Sequence, residues 1–362
     1  MNTPSLYIHI PFCSRKCLFC SFVIAVGQEH RRDEYVTALI NEMKGVDGKS
    51  IKTIYFGGGT PSQLNEDQLG RLMDAIRKKF SFQNDIEITI EANPESINRS
   101  KANFLKSQGF NRISLGVQSM NNRYLKFLGR AHDAHTARDA YHILREAGFV
   151  NINLDLMYAF PRQTTTELEE DVRTMAQLGS EHLSLYTLTV EPNSRFFASQ
   201  MKLDDDEKLA EQYSHIARLL DEYGFEQYEI SNFSRTTTFE SAHNKNYWLG
   251  GTYIGLGVGA HGFTGRRRYW NTSNLQDYIQ GAVSGKQVIG GYEDLTDAQL
   301  TIEKILFGLR MNEGISWELV PESRQKTLQE WVKDGFLLLE NRKLKTTQRG
   351  RLVLDELSVR LI

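Results

Sequence analysis

Cysteine is almost absent from this chain of 362 residues. There are three, and all lie in "CSRKCLFC", Cys13 to Cys20. So few thiols in so long a chain exclude a disulfide framework and point to a metal site in a reducing compartment, so a cytoplasmic protein is expected. Excess charge is lacking too: 43 basic and 45 acidic residues leave a net −2. That excludes a general electrostatic grip on nucleic acid, and no nucleic-acid partner is expected. The basic run "NRKLKTTQRGR" reads as a solvated hairpin. No apolar run approaches the roughly 20 residues of a membrane span. "MNTPSLYIHIPFC" has no charged region followed by a long apolar stretch, so no signal peptide is read there. There is no low-complexity linker and no repeat beyond a β/α unit. The hydrophobic share of 40% and charged share of 24% are those of a globular protein with ample core.

What is present alternates between two periods. Short β-branched runs stand at "LYIHI", "TIYFGGG", "IEITIEAN", "RISLGVQS", "NINLDLMYAF" and "HLSLYTLTVEP". Amphipathic stretches such as "EDQLGRLMDAIRKKF" and "AHTARDAYHILREAGF" separate them. Strands spaced by helices imply parallel pairing with right-handed crossovers. Six units predict an α/β fold, a partial (β/α)6 barrel over residues 1–195. Its functional residues are expected at the strand C-termini, which form one face. Residues 196–295 read as a barrel extension, with a strand at "EQYEISNFS" and a glycine-rich aromatic segment after "HNKNYW". Residues 296–362 read as a smaller α+β module of winged-helix type, ending in the hairpin "GFLLLENRKLKTTQRG".

Cys13, Cys17 and Cys20 form C-x3-C-x2-C directly after the first strand. Four thiols would saturate an iron–sulfur cube or a tetrahedral zinc. Three leave one iron of a 4Fe-4S cluster open to a small chelating molecule, the pattern of radical S-adenosylmethionine (SAM) proteins. Three buried thiols, or a zinc completed by His9, are the alternatives. Gly57 to Ser62, "GGGTPS", lets backbone approach a ligand without β-carbons. Glu91, Gln118 and Asp155 stand at strand ends, where such side chains hydrogen-bond hydroxyls or an ammonium.

"YIHIPFC", "GGGTPS", "EANP", "RISLGVQS", "LGRAH" and "NLDLMYAFP" together resemble the oxygen-independent coproporphyrinogen dehydrogenase-like branch of radical SAM proteins, over most of the chain. Ser21-Phe22 after the last cysteine, "LSLYTLTVEPNS" and "HNKNYW" are similar to its haem-chaperone subgroup. The resemblance implies that Cys13, Cys17 and Cys20 hold the cluster. It implies that Tyr7 and Phe19 shape the SAM pocket and that Gly58, Gly59 and Thr60 meet the methionyl end. Glu91, Gln118, Arg130 and Asp155 would position the rest of SAM. His243 would offer haem iron an axial imidazole, with Tyr247 and Trp248 against the macrocycle; His261 reads as local structure. Ala159 and Phe160 replace the family's usual glycine and leucine, which would add bulk near the cofactor. Ser21 replaces a common aspartate. The implied function is to take up haem and pass it to an acceptor protein, and homodimerisation is left open. The rival is a radical SAM enzyme, either an oxidative decarboxylase of a porphyrinogen or a methyltransferase on a small aromatic substrate.

Overall fold

Apolar and polar residues alternate along each N-terminal strand, and this alternation sorts the two faces of the sheet. The computed structural model describes residues 3–83 and 85–360. Strand β1 (Ser5–Ile10) is followed by two short strands, β2 (Phe12–Cys13) and β3 (Ala25–Val26), that pair in parallel across the cysteine loop. Then come β4 (Thr53–Gly58), β5 (Glu87–Ala92), β6 (Arg112–Gln118), β7 (Ile152–Tyr158) and β8 (His182–Thr187). These five and β1 pair in parallel in chain order, as the period of the sequence predicts.

Leu6, Ile8, Ile54, Phe56, Ile90, Ile113 and Leu115 point one way. They are buried against Leu39 of α1 (Arg32–Lys44), Leu72 of α2 (Glu66–Lys79), Leu105 of α3 (Arg99–Ser107) and Leu144 of α5 (Ala134–Glu146). Helix α4 (Asn122–Leu128) and helix α6 (Thr165–Gln177) complete this layer. Reciprocal Asn65–Gln68 and Thr164–Glu167 capping boxes fix where α2 and α6 begin. The intervening residues, Tyr7, Tyr55, Glu91, Arg112 and Asp155 among them, face the barrel interior. That lumen is therefore polar.

The sheet extends beyond six strands. Strand β11 (Tyr253–Leu256) adds in parallel to the free side of β1, so the expected glycine-rich segment is a seventh parallel strand. A β-carbon at Gly255 would lie 1.8 Å from the His261 carbonyl oxygen, so glycine is what allows the chain to double back here. The antiparallel strands β12 (His261–Phe263), β13 (Arg267–Asn271) and β14 (Ile289–Asp294) follow. At the other edge "EQYEISNFS" forms two strands rather than one, β9 (Glu226–Gln227) and β10 (Asn232–Ser234), antiparallel to each other, with β10 paired on β8. The result is a twelve-stranded sheet.

Helices α7 (Arg195–Ala198), α8 (Asp206–Glu222), α9 (Ala242–Trp248) and α10 (Leu275–Val283) lie within this part of the chain. A second apolar core then gathers Ile305 and Leu309 of α11 (Asp297–Arg310) with Leu328 and Trp331 of α12 (Glu322–Lys333). Leu344 joins them from the three-stranded sheet of β15 (Ile315–Ser316), β16 (Leu337–Glu340) and β17 (Lys343–Thr346). The β16–β17 hairpin turns through Asn341 and Arg342 at φ of 49° and 63°, as a two-residue type I′ turn requires. Among the described residues no helix is long and apolar enough to cross a membrane.

Candidate functional site

The cysteine loop caps the C-terminal end of the barrel strands. Cys13 is buried, and Cys17 and Cys20 are half-buried. Burial pushes the Cys13 thiol up to about 11 and raises that of Cys20, so metal ligation here must displace protons. Two of the thiols are the ends of one hydrogen-bonded chain. Cys13 Sγ lies 3.4 Å from the Thr60 hydroxyl, which accepts from Asn93 Nδ2 at 3.0 Å. Asn93 Oδ1 accepts from Arg130 Nη2 at 2.6 Å, and Arg130 Nη1 donates to Cys17 Sγ at 3.4 Å. Arg130 also donates to the Gly116 carbonyl at 2.7 Å. A guanidinium and a hydroxyl aimed at sulfur suit thiolates that carry metal charge.

His9 does not complete a tetrahedral site. Its Nε2 donates to the Val23 carbonyl at 2.8 Å, so Nδ1 accepts the Tyr7 hydroxyl at 3.1 Å. Among the described residues no three histidine, cysteine or acidic side chains converge on a single-ion site.

The glycine run is shaped by its neighbours. A β-carbon at Gly58, whose φ is +113°, would lie 2.5 Å from the His9 ring, and one at Gly59 would lie 2.6 Å from the Pro11 carbonyl oxygen. The amides of Gly58, Gly59 and Thr60 donate to Glu91 Oε2, to Ile10 O and to Phe12 O. These glycines are required by the close approach of His9 and Pro11, and their amides are already used inside the chain.

Below the mouth, Glu91 is enclosed. It accepts the Tyr55 hydroxyl at 2.7 Å and the Gly58 amide at 3.1 Å. Burial, with the nearby Asp155 charge, raises its carboxyl to about 7. Asp155 accepts from Asn153 Nδ2 at 2.8 Å, and burial raises it to about 6. Gln118 ends β6 at φ +71°, a strained position for a residue with a β-carbon. Tyr7 stacks on Tyr55 with ring centroids 6.2 Å apart. Phe19 packs instead into an apolar cluster with Tyr124, Leu128, Phe160 and Phe196.

Ala159 and Phe160 do not crowd the lumen. Phe160 is fully buried in that same cluster and stacks on Tyr124 at 4.4 Å. Ala159 sits at φ +64°, a conformation that a glycine adopts without strain.

The "HNKNYW" residues lie at the other end of the barrel. His243 and Ala242 donate their amides to Glu87, the first residue of β5, both at 2.9 Å. Thr53, the first residue of β4, gives its proton to Ser5, so His243 Nδ1 donates to Thr53 Oγ1, at 2.8 Å. Nε2 then accepts the Tyr247 hydroxyl at 2.9 Å. His243 also stacks on Tyr55 at 4.8 Å and is only 1% exposed. Burial lowers its pKa to about 3, so it is neutral. No ring nitrogen is left for haem iron in this arrangement. Trp248 lies beneath Arg310 at 4.4 Å and beside Phe307 of α11, joining the sheet to the C-terminal core. His261 is exposed and tilts against Trp270 at 5.9 Å.

Arg112 and Asn153 were not singled out from the sequence. Polar residues at every second position of "RISLGVQS" and "NINLDLMY" carried the signal, because strands of a covered parallel sheet are usually apolar on both faces.

The Radical SAM superfamily profile matches residues 7–175, and the HemN C-terminal domain profile matches residues 295–353. The "Heme chaperone HemW" of Bacillus subtilis (strain 168) is 38% identical over 334 residues, 90% of this chain and 88% of that protein. The chain belongs to the HemW family of radical SAM proteins. The HemW of Escherichia coli (strain K12) is 40% identical over 263 residues, 71% of this chain and 69% of its own length. Beyond HemW, the solved coproporphyrinogen III oxidase (HemN) of Escherichia coli superposes with a TM-score of 0.87 at 25% identity, covering 99% of this chain and 90% of that one.

Proposed function

We propose that this chain is a haem carrier that holds a 4Fe-4S cluster and SAM at the barrel mouth and delivers haem to an acceptor protein in a reducing cytoplasm. The arrangement that carries the cluster reading is the hydrogen-bonded chain Cys13–Thr60–Asn93–Arg130–Cys17. It presents thiols on one loop while His9 is committed elsewhere, so one iron lacks a protein ligand. When bound, the cluster supplies one-electron chemistry and that open iron. Cys13, Cys17 and Cys20 would hold it, with Arg130 and Thr60 offering hydrogen bonds to the sulfurs. Gly58 and Gly59 would lie against the methionyl end of SAM. Glu91 and Asp155 are acceptors for its ammonium or hydroxyls. The haem role is supported by the names of the HemW relatives.

The enzyme reading shares this mouth, and the polar lumen headed by Arg112 and Asp155 favours keeping it as the second reading. Anaerobic reconstitution tests both: iron and sulfide content, then haem titration, then assay of 5′-deoxyadenosine and of coproporphyrinogen turnover. Haem uptake without decarboxylation supports the carrier. Turnover without stable haem uptake supports the enzyme. A triple Cys13→Ala, Cys17→Ala, Cys20→Ala variant that kept its full iron and sulfide would remove the cluster from either reading.

A further inference from the structure

We infer that haem docks on the outer face of the cysteine loop, held by its macrocycle and propionates with no side chain on its iron. The inference rests on the haem-carrier reading above. A cavity of about 620 Å³ opens there, within the size range of small-molecule pockets. Its apolar wall is Leu18, Phe22, Ile24 and Val26. Phe22 is 66% exposed and Val26 41%, an aromatic and a branched side chain turned to solvent beside one another. These exposed side chains give the concavity an apolar wall.

The remaining wall is basic. Arg15, Lys16 and Arg195 line the same cavity. Arg15 donates to the Arg130 carbonyl at 3.1 Å and Lys16 to the Asn193 carbonyl at 3.2 Å. Among the described residues none of the three forms an ion pair. Three uncompensated cations around an apolar wall complement a flat apolar ring that carries two carboxylates at one edge. The site is also preformed. Leu18 N bonds to Leu128 O at 2.9 Å, and Phe196 N, one residue after Arg195, bonds to Leu18 O at 3.0 Å.

No lining residue bears an imidazole, thiol, thioether or phenol. A bound porphyrin is therefore held by apolar contact and charge, and its metal contributes little. Such a ligand leaves readily, as a carrier requires, and it sits on the loop that bears the cluster thiols. The imidazole at His243 is closed at the far end of the barrel.

The test uses the full chain, anaerobically reconstituted, with iron and sulfide content confirming an intact loop. Haem, zinc protoporphyrin and haem dimethyl ester are titrated into the wild type, Phe22→Asp, and the triple variant Arg15→Ser, Lys16→Ser, Arg195→Ser. We expect each variant to lose haem affinity by on the order of tenfold. The wild type should bind zinc protoporphyrin about as well as haem and bind the dimethyl ester more weakly. That preference should vanish in the triple variant. Wild-type affinity in both variants, or a low-spin spectrum with strong preference for iron, would overturn the site while the haem-carrier reading stands. Failure of the wild type to take up any porphyrin would overturn the site and the carrier reading together.

Discussion

Arg130 places Nη1 3.4 Å from the Sγ of Cys17 while its Nη2 spans Asn93 and the Gly116 carbonyl. The guanidinium thus ties the cysteine loop to the ends of β5 and β6. Removing it loosens the loop and takes a charge-assisted donor from one sulfur, an interaction worth about 1.5–3 kcal/mol. Arg130→Leu should reconstitute with less iron and sulfide per chain, and its residual cluster should be lost faster on exposure to air. Arg130→Lys keeps the charge without the fork and should fall between. Equal iron content and lifetime in all three proteins would show that the arginine is incidental to the cluster.

A second prediction concerns stability alone. Ala159 is held at φ +64°, where a β-carbon costs about 1 kcal/mol. Its amide is anchored by Gln163 Oε1 at 2.9 Å, and Phe160 beside it is locked on Tyr124. The chain cannot relax there. Ala159→Gly should raise stability against urea by about 0.5–1 kcal/mol, leaving cluster content unchanged. A loss of stability would mean that glycine's freedom in the unfolded chain outweighs the relieved strain.

The barrel strands and the cysteine loop were legible in the sequence because both are local. A period of two between amphipathic helices fixes the strands, and three thiols within one loop need no distant partner to be noticed. β11 was not legible as a strand. Its glycine, Gly255, is set by close approach to His261 and donates its amide to the Tyr269 hydroxyl, which weakens the β-branched signature. The placement of His243 was hidden for the opposite reason. Its partner Thr53 is 190 residues away, and nothing in "HNKNYW" shows which end of the barrel the helix closes. Arg130, in contrast, came through the family resemblance as a residue positioning SAM, whereas its bonds in the fold run to Cys17, Asn93 and the Gly116 carbonyl.

His243 joins three elements at the barrel floor. His243→Ala leaves the Thr53 and Tyr247 hydroxyls short of a partner and opens a void beside Tyr55, at a cost of roughly 2–4 kcal/mol. The neutral native imidazole has a second consequence. Its folded pKa of about 3 lies below the unfolded 6.5, so the unfolded state alone takes up a proton as the pH falls between these values. The stability that His243 contributes is present above pH 6.5 and is lost progressively toward pH 3. The deficit of His243→Ala against wild type should therefore shrink on acidification, read from urea midpoints. Porphyrin affinity per folded chain should not change. A selective loss of haem binding with normal stability would instead restore the imidazole as an iron ligand.

Glu91 has the opposite pH signature. Its buried carboxyl is raised to about 7 from an ordinary 4.5, so the native state binds a proton that the unfolded state has released. Relative to a neutral side chain, Glu91 favours the fold fully below pH 4.5, and this is lost as the pH rises to 7. Glu91→Gln keeps an acceptor for Tyr55 and cannot ionise. In cluster-free protein its stability relative to wild type should rise between pH 4.5 and 7 by on the order of 2–3 kcal/mol, then level off. Any hydrogen bond lost at Gly58 shifts that curve without tilting it, so the slope reports the carboxyl alone. A flat difference across this window would mean that Glu91 is ionised in the fold, with the Tyr55 hydroxyl and the Gly58 amide outweighing its burial. The barrel mouth would then present a fixed negative charge rather than an acid that releases its proton near neutrality.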